Sequence, residues 1–347
     1  MESAFREKTA AAKRRFGGRP LKSIIILKHV QVQNANAIAG LTWGFPGITN
    51  FLGFTHALSR YAEKLQGVRF DGCAVVCHSH QVQAHQPTPY GEYVFALTRN
   101  PLTKEGKTAP FNEEARMHMD VSLVIECNFI TEDLDFGAAS DSENTARFEN
   151  ELARKIPMMR LAGGTIQAIQ GVEFHTLSED PDERSKEFRK SMLKLLPGFM
   201  LVDRSPLLHE HLSSLRERQA DATLLDAWLD FSALRYRAYP QIAEGETANE
   251  TTSAEWRYVA KPGEGWLVPI TTGFKAISPL YPPGEVANAR DPSVSFRFVE
   301  SAYGVGQWIS PHRLRDISHI FWRYQQDGDW YLCKNDYQLE ATQLLQD

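Results

Sequence analysis

An α+β protein built on an antiparallel sheet is predicted by three observations. Apolar stretches rich in Ile and Val recur at 21–32, 68–83, 118–129 and 158–169, bounded by Gly, Pro or polar residues, which is the pattern of strands. Two segments between them, 49–66 and 142–155, carry apolar residues at helical spacing. The resulting order is β-α-β-β-α-β, the ferredoxin-like or RRM-like order, with both helices on one face of the sheet.

Each element has its own signal. Residues 1–20 form a basic arm, in which Arg6, Lys8, Lys13, Arg14, Arg15 and Arg19 face only Glu2 and Glu7. Gly17, Gly18 and Pro20 break it off from the first strand. The arm is expected to be flexible, and whether it solubilises or binds is open. In the first strand, 24–27 are continuously apolar, so both faces are expected to be covered. A polar turn and the Gly/Pro-marked corner 43–47 then lead into the first helix. Its stripe is Ile48, Phe51, Leu52, Thr55, Leu58, Ala62 and Leu65, and Gly67 ends it. The second strand is expected to bend at Gly72. Residues 84–117 change to Pro, Gly, Thr and basic residues around a short strand at 93–98, a long excursion of the kind that is usually functional.

An acidic linker, 131–141, precedes the second helix, which Ser142 caps and in which Phe148, Leu152 and Ile156 recur four apart. The fourth strand is interrupted by Gly163 and Gly164. Beyond it the reading places a helix at 185–195, a strand at 198–202 and helices at 206–219 and 222–234, with a polar, acidic linker at 241–254. The organisation is an arm (1–20), a core (21–204) with the 84–117 excursion, a helical insertion with linker (205–254), and a strand- and turn-rich part (255–347) packing on the core.

Composition excludes several classes. Hydrophobic residues make up 42% and charged residues 23%, as in soluble globular proteins. No apolar run reaches the length of a membrane span, and no secretory h-region opens the chain. Four cysteines are too few for a disulfide framework, which fits the cytoplasm. The net charge of −5 argues against a free-standing nucleic-acid binder. Its uneven spread fits one subunit among several. The stretch 31–58 is the best candidate for holding a nucleic-acid strand, because a helix N-terminus just after a strand and a Gly/Pro turn favours anions.

Several blocks together resemble one family: the run 33–46 ending in LTWGFP, LTRNPL at 97–102, MRLAGGTI at 159–166, LPGF at 196–199, and GWLVPI, ISPLY, PGEVANARD, RFVE and SPHR within 265–313. It is the Csy-type, Cas-five-like subunit of type I-F CRISPR surveillance complexes. The resemblance covers nearly all of 22–313 in order; the basic arm is outside it. It implies an RRM-like core with an inserted thumb hairpin, and a non-enzymatic subunit that grips the 5′ handle of the crRNA together with the large subunit. It further implies contact with the first repeated backbone subunit and a place near the flanking motif of target DNA. It implies neither a cofactor nor a membrane.

Each candidate RNA-binding residue stands beside a structural alternative. Asn34 and Asn36 offer amides to base edges or hold an Asx turn. Trp43 and Phe45 stack on bases or staple the helix, and Gly44 permits close backbone approach. On the excursion, placed where a thumb would be, Arg99, Asn100, Lys104 and Lys107 suit phosphate gripping or are surface polar groups. Arg160, Gly163 and Gly164 mark close approach of RNA backbone or of another strand. His312 and Arg313 add late positive charge. The RRM aromatic signature is absent, so loops and thumb are expected to read RNA rather than the sheet face. Cys73, Cys77, His78, His80 and His85 do not converge on a strand, so no metal is expected. Two other functions stay open. One is metal-independent endoribonuclease action on precursor crRNA, using His29, His78, His80 or Tyr90. The other is a purely structural adaptor.

Overall fold

The computed structural model describes residues 23–89, 91–129, 142–241, 252–314 and 319–337. The arm, the acidic linker at 131–141, most of the linker at 241–254 and Tyr90 lie outside them.

Strand β1 (Ser23–Asn36) leads through a small hairpin, β2 (Ile38–Ala39) and β3 (Thr42–Trp43), into helix α1 (Ile48–Gln66). Ile48, Phe51, Leu52, Leu58 and Ala62 form its buried stripe, and Gly67, at φ +65°, closes it by donating its N–H to Glu63. β4 (Val68–Val82) follows, then the excursion with its short strands β5 (Ala84–His85), β6 (Val94–Phe95), β7 (Leu97–Arg99) and β8 (Phe111–Glu113). β9 (Arg116–Phe129) returns to the sheet, and α2 (Ser142–Lys155) crosses it.

β10 (Arg160–Leu161) and β11 (Gly164–Thr176) replace the interrupted strand expected at 158–169. Leu161 pairs with Gly164, and Ala162 and Gly163 both have positive φ (50° and 75°). This is a two-residue hairpin of the kind that requires positive φ at both central positions. The glycines therefore reverse the chain instead of kinking one strand. α3 (Pro181–Leu193) starts four residues earlier than expected, because the Asp180 carboxylate accepts from the N–H groups of Asp182 and Glu183 and Pro181 suits the first turn.

β12 (Phe199–Asp203), α4 (Pro206–Arg216) and α5 (Leu224–Ser232) come next. β13 (Arg235–Pro240) and β14 (Ala254–Val259) then pair as a ribbon, which extends strand structure into the flanks of the expected linker. β15 (Trp266–Ala276), β16 (Val299–Ile309), β17 (Arg323–Asp327) and β18 (Trp330–Lys334) finish the chain.

Ten strands form one antiparallel sheet in the order β10-β11-β1-β9-β4-β12-β16-β15-β18-β17. Alternation sorts β1 between two cores. Ile25 and Leu27 join Phe51 and Leu52 of α1 and Phe148 and Leu152 of α2 on one face. Ile24 and Ile26 join Phe188 and Met192 of α3 on the other. Both faces of the 24–27 run are covered, as expected. Each of these large side chains contributes about 1.5–3 kcal/mol by leaving water.

The C-terminal strands curl back onto β4. Cys73 and Trp322 exchange two backbone hydrogen bonds, at 3.0 and 2.9 Å. Trp322 is fully buried, and its Nε1–H donates to the Leu201 carbonyl at 2.9 Å. Beside this seam Arg323 holds the largely buried Glu126 carboxylate through Nε (2.7 Å) and Nη2 (2.5 Å). The Gly72 N–H donates to the same carboxylate at 3.0 Å. A Cβ on Gly72 would come 2.2 Å from Glu126 Oε2, so the seam requires glycine there. The register slips between Phe70 and Cys73, which is the bend expected at Gly72.

Candidate nucleic-acid interface

The face under α3 does not stay covered. Two bulges, at Leu27/Val30 in β1 and Cys77/Ser79 in β4, flank the same point on β9. Bulges re-aim side chains, and here they bring two histidines together across β9. The His29 and His78 rings stack at 4.1 Å and 24°. His29, at φ 47°, places Nδ1 3.0 Å from the Asp120 carboxylate. His78 Nδ1 lies 2.7 Å from the Pro197 carbonyl and Nε2 2.7 Å from Ser122 Oγ. The Pro197 carbonyl is acceptor only, so Nδ1 carries the proton and Nε2 accepts from Ser122. Burial, reinforced by His29, holds His78 below the ordinary histidine value, against the opposing pull of Pro197 and Asp120.

His29, His78 and Asp120 lie within 4.8 Å of one another, close enough to invite a metal reading. Stacked rings, however, direct their lone pairs side by side, and both His78 nitrogens already have partners. The four thiols are no better as ligands. Burial pushes Cys73, Cys77 and Cys333 up to about 12 and raises Cys127 as well, while metals bind thiolates.

Beyond the bulges the face is polar. Gln31, Gln33, Asn34 and Gln81 are exposed, with His118 and Asp120 half-buried among them. Asn34, at φ 54°, sits at a further register slip between Val32 and Ala35. Its Oδ1 accepts from Gln83 Nε2 at 3.0 Å, and its N–H donates to His118 Nδ1 at 3.3 Å. The Gln83 amide lies 2.9 Å from His118 Nε2. Three strand ends are thus tied into one exposed polar cluster. Asn36 instead closes an Asx turn, with Nδ2 donating to the Ile38 carbonyl (2.6 Å) and Oδ1 accepting its N–H (3.2 Å).

The corner after β3 divides its aromatic residues. Trp43 is 60% exposed and meets Phe95 of β6 edge-on at 5.6 Å, which ties the corner to the excursion. Phe45 turns inward, stacking on Phe51 (5.4 Å) and meeting Trp308 edge-on (4.9 Å), so it is the staple. Gly44, at φ +133°, has open space where a Cβ would stand. On the excursion the Arg99 guanidinium lies 3.8 Å over the Phe111 ring, with Asn100 exposed beside it. Lys104 and Lys107 are exposed near the tip, and Lys104 is 3.8 Å from Glu105.

Arg160 and Gly163 are exposed at the β10–β11 turn. Gly164 is not open to a ligand: a Cβ there would come 2.6 Å from the Gln33 carbonyl and 2.7 Å from the Ala35 nitrogen, so its smallness serves packing on β1. His312 and Arg313 are exposed on the 3-10 turn Pro311–Arg313, in a separate cavity with Trp266 and Trp308. The structure therefore gathers Asn34, Trp43 and the excursion around one end of the sheet and sets His312 and Arg313 apart. Sequence reasoning missed Gln83 and His118. The available signal was that His118 alternates with buried Met117 and Met119, hence faces away from the core.

Exposed amides, a stacked arginine and an open aromatic edge are the side-chain types that can contact unpaired bases and phosphates, which makes this surface a candidate interface for single-stranded nucleic acid. The family model described as "CRISPR-associated protein (Cas_Csy2)" matches residues 25–333. The chain is 38% identical over 316 residues to the CRISPR-associated protein Csy2 of Pseudomonas aeruginosa (strain UCBPP-PA14), covering 89% of this chain and 93% of that protein. The chain belongs to the Cas_Csy2 family, the type I-F family its motifs resemble. Among the described residues no helix is long and apolar enough to cross a membrane.

Proposed function

We propose that the chain is a non-enzymatic subunit of a type I-F Csy complex that binds the 5′ handle of the crRNA together with the large subunit. The observation that carries this is the exposed Asn34–Gln83–His118 cluster, which faces the excursion's end of the sheet and supplies amide and imidazole groups to unpaired bases. The fold reading agrees. An RRM-like core is supported by the strand order β11-β1-β9-β4 and by the packing of α1 and α2 on one face. The 84–117 excursion between β4 and β9 is then the thumb, and Arg99 and Trp43 are its RNA contacts. The first repeated backbone subunit and target DNA near the flanking motif are the further partners, in the cytoplasm. The non-enzymatic reading is supported by His78, whose two nitrogens are engaged by the Pro197 carbonyl and the fully buried Ser122 rather than offered to a ligand.

The test uses the complex purified with guide RNA. The double variant Gln83→Ala/His118→Ala should assemble but hold guide RNA about tenfold more weakly, roughly one hydrogen bond. Unchanged RNA content in this variant and in Arg99→Ala would mean that the large subunit alone holds the handle. Cleavage of repeat RNA without metal, lost on His78→Ala, would overturn the non-enzymatic reading.

A further inference from the structure

The cavity that holds His312 and Arg313 is built at the shared end of three neighbouring strands. Phe199 begins β12, Trp266 begins β15, and Trp308 lies directly opposite Trp266 in register near the end of β16. Their rings form a connected wall, Phe199 to Trp266 at 5.2 Å and 74°, and Trp266 to Trp308 at 6.3 Å and 50°. Trp266 stays 52% and Phe199 43% exposed. Two large rings are thus left half in water at the mouth of one cavity.

Beside Ile309, Gly265 and Tyr337, the rest of the lining is Gln307, Ser310, His312 and Arg313. Arg204 donates to Gln307 Oε1 at 2.5 Å, which fixes the amide and leaves its Nε2 donor without a hydrogen-bond partner among the described residues. Gly265, at φ +93°, makes room for that group, since a Cβ there would come 2.0 Å from Gln307 Nε2. Ser310 Oγ lies 2.7 Å from His312 Nδ1 and steadies the imidazole. Arg313 has no carboxylate partner among the described residues, and no acidic side chain among them lines the cavity. The volume is about 460 Å³, inside the roughly 300–1,000 Å³ of small-ligand sites.

Aromatic walls select a flat π-system, a free amide selects a polar ring edge, and an unpaired cationic rim selects an anion. One nucleotide combines all three. We propose that this cavity binds a single unpaired nucleotide of the guide RNA, its base against Trp266 and Phe199 and its phosphate at Arg313 and His312. The proposal rests on the reading that the chain holds guide RNA, and it adds a second point of grip separate from the thumb.

The test is photo-crosslinking in the assembled complex, with guide RNA carrying 4-thiouridine at successive handle positions. Crosslinks are expected at peptides containing Phe199 or Trp266 as well as on the thumb. Trp266→Ala with Phe199→Ala should abolish the first set and weaken guide binding about 5- to 150-fold, the range one stacked base supplies. Trp266→Phe, which keeps a stacking face, should retain both. Thumb crosslinks without any at this cavity would overturn the proposal and leave the RNA reading standing. Crosslinks nowhere on this chain would overturn both. Loss of a protein subunit from the double variant, with RNA crosslinks unchanged, would make the cavity a protein-docking site and overturn the proposal.

Discussion

Along β1, β9 and β4, one face of the sheet changes character half-way. In the first half Ile24, Ile26, Val124, Ala74 and Val76 pack under α3. In the second half Gln31, Asn34, Asp120 and His118 stand open or half-open, and the bulged His29 and His78 mark the border. The contrast is one of lengths. The 13 residues of α3 span about 20 Å, whereas the 14 residues of β1 run to about 46 Å. One helix cannot cover such a strand, and the uncovered half is polar because nothing among the described residues packs on it.

The contrast can be broken by substitution, and the largest effect belongs to the covered half. Phe188→Ala on α3 should destabilise the chain by about 3–5 kcal/mol in denaturant titration, while Gln31→Ala on the open half should change stability by less than about 0.5 kcal/mol. Equal losses would mean that the open half is structural. Arg323→Ala should cost a similar 3–5 kcal/mol, because the buried Glu126 carboxylate would lose its ion-pair partner. Trp43→Ala should leave the melting temperature unchanged yet weaken guide RNA binding by about 1–3 kcal/mol; a lower melting temperature with unchanged binding would assign Trp43 to packing. Asn36→Ala removes both bonds of the Asx turn and should cost about 0.5–1.5 kcal/mol, a loss read in stability rather than in RNA binding.

The smallest effect sharpens the border itself. His78 is held below the ordinary histidine value chiefly by burial, so the unfolded chain takes up its proton first. The stabilising share of neutral His78 is complete above about pH 6.5 and is lost as pH falls below that value. Melting temperatures at pH 7.5 and 5.5 should therefore fall less for His78→Gln than for the unaltered chain. An equal fall would show that this stack does not titrate with folding.

What the sequence made legible was periodicity. The 24–27 run, the stripe of α1 and the spacing of Phe148 and Leu152 all report burial through residue type, and each lies where its pattern put it. Gly67 was readable as a helix end because positive φ there favours glycine. The Ala162–Gly163 turn was not, since Ala gives no sign that it will adopt φ 50°. The β13–β14 ribbon was hidden because its residues are nearly all exposed and carry no core alternation. The candidate surface was half legible. Asn34, Trp43 and Arg99 lie in motifs along the chain, whereas Gln83 and His118 join Asn34 only through strand register, and the bulges that set that register leave no mark in composition.

The cysteines give the chain an internal clock. All four thiols are buried, and burial keeps them protonated, so alkylating reagents wait for the protein to open. Cys73, whose thiol faces Thr55, becomes reachable when α1 lifts from the sheet, and Cys333 when its strand β18 parts from β15. Their modification rates, followed residue by residue, time those two openings without any foreign label.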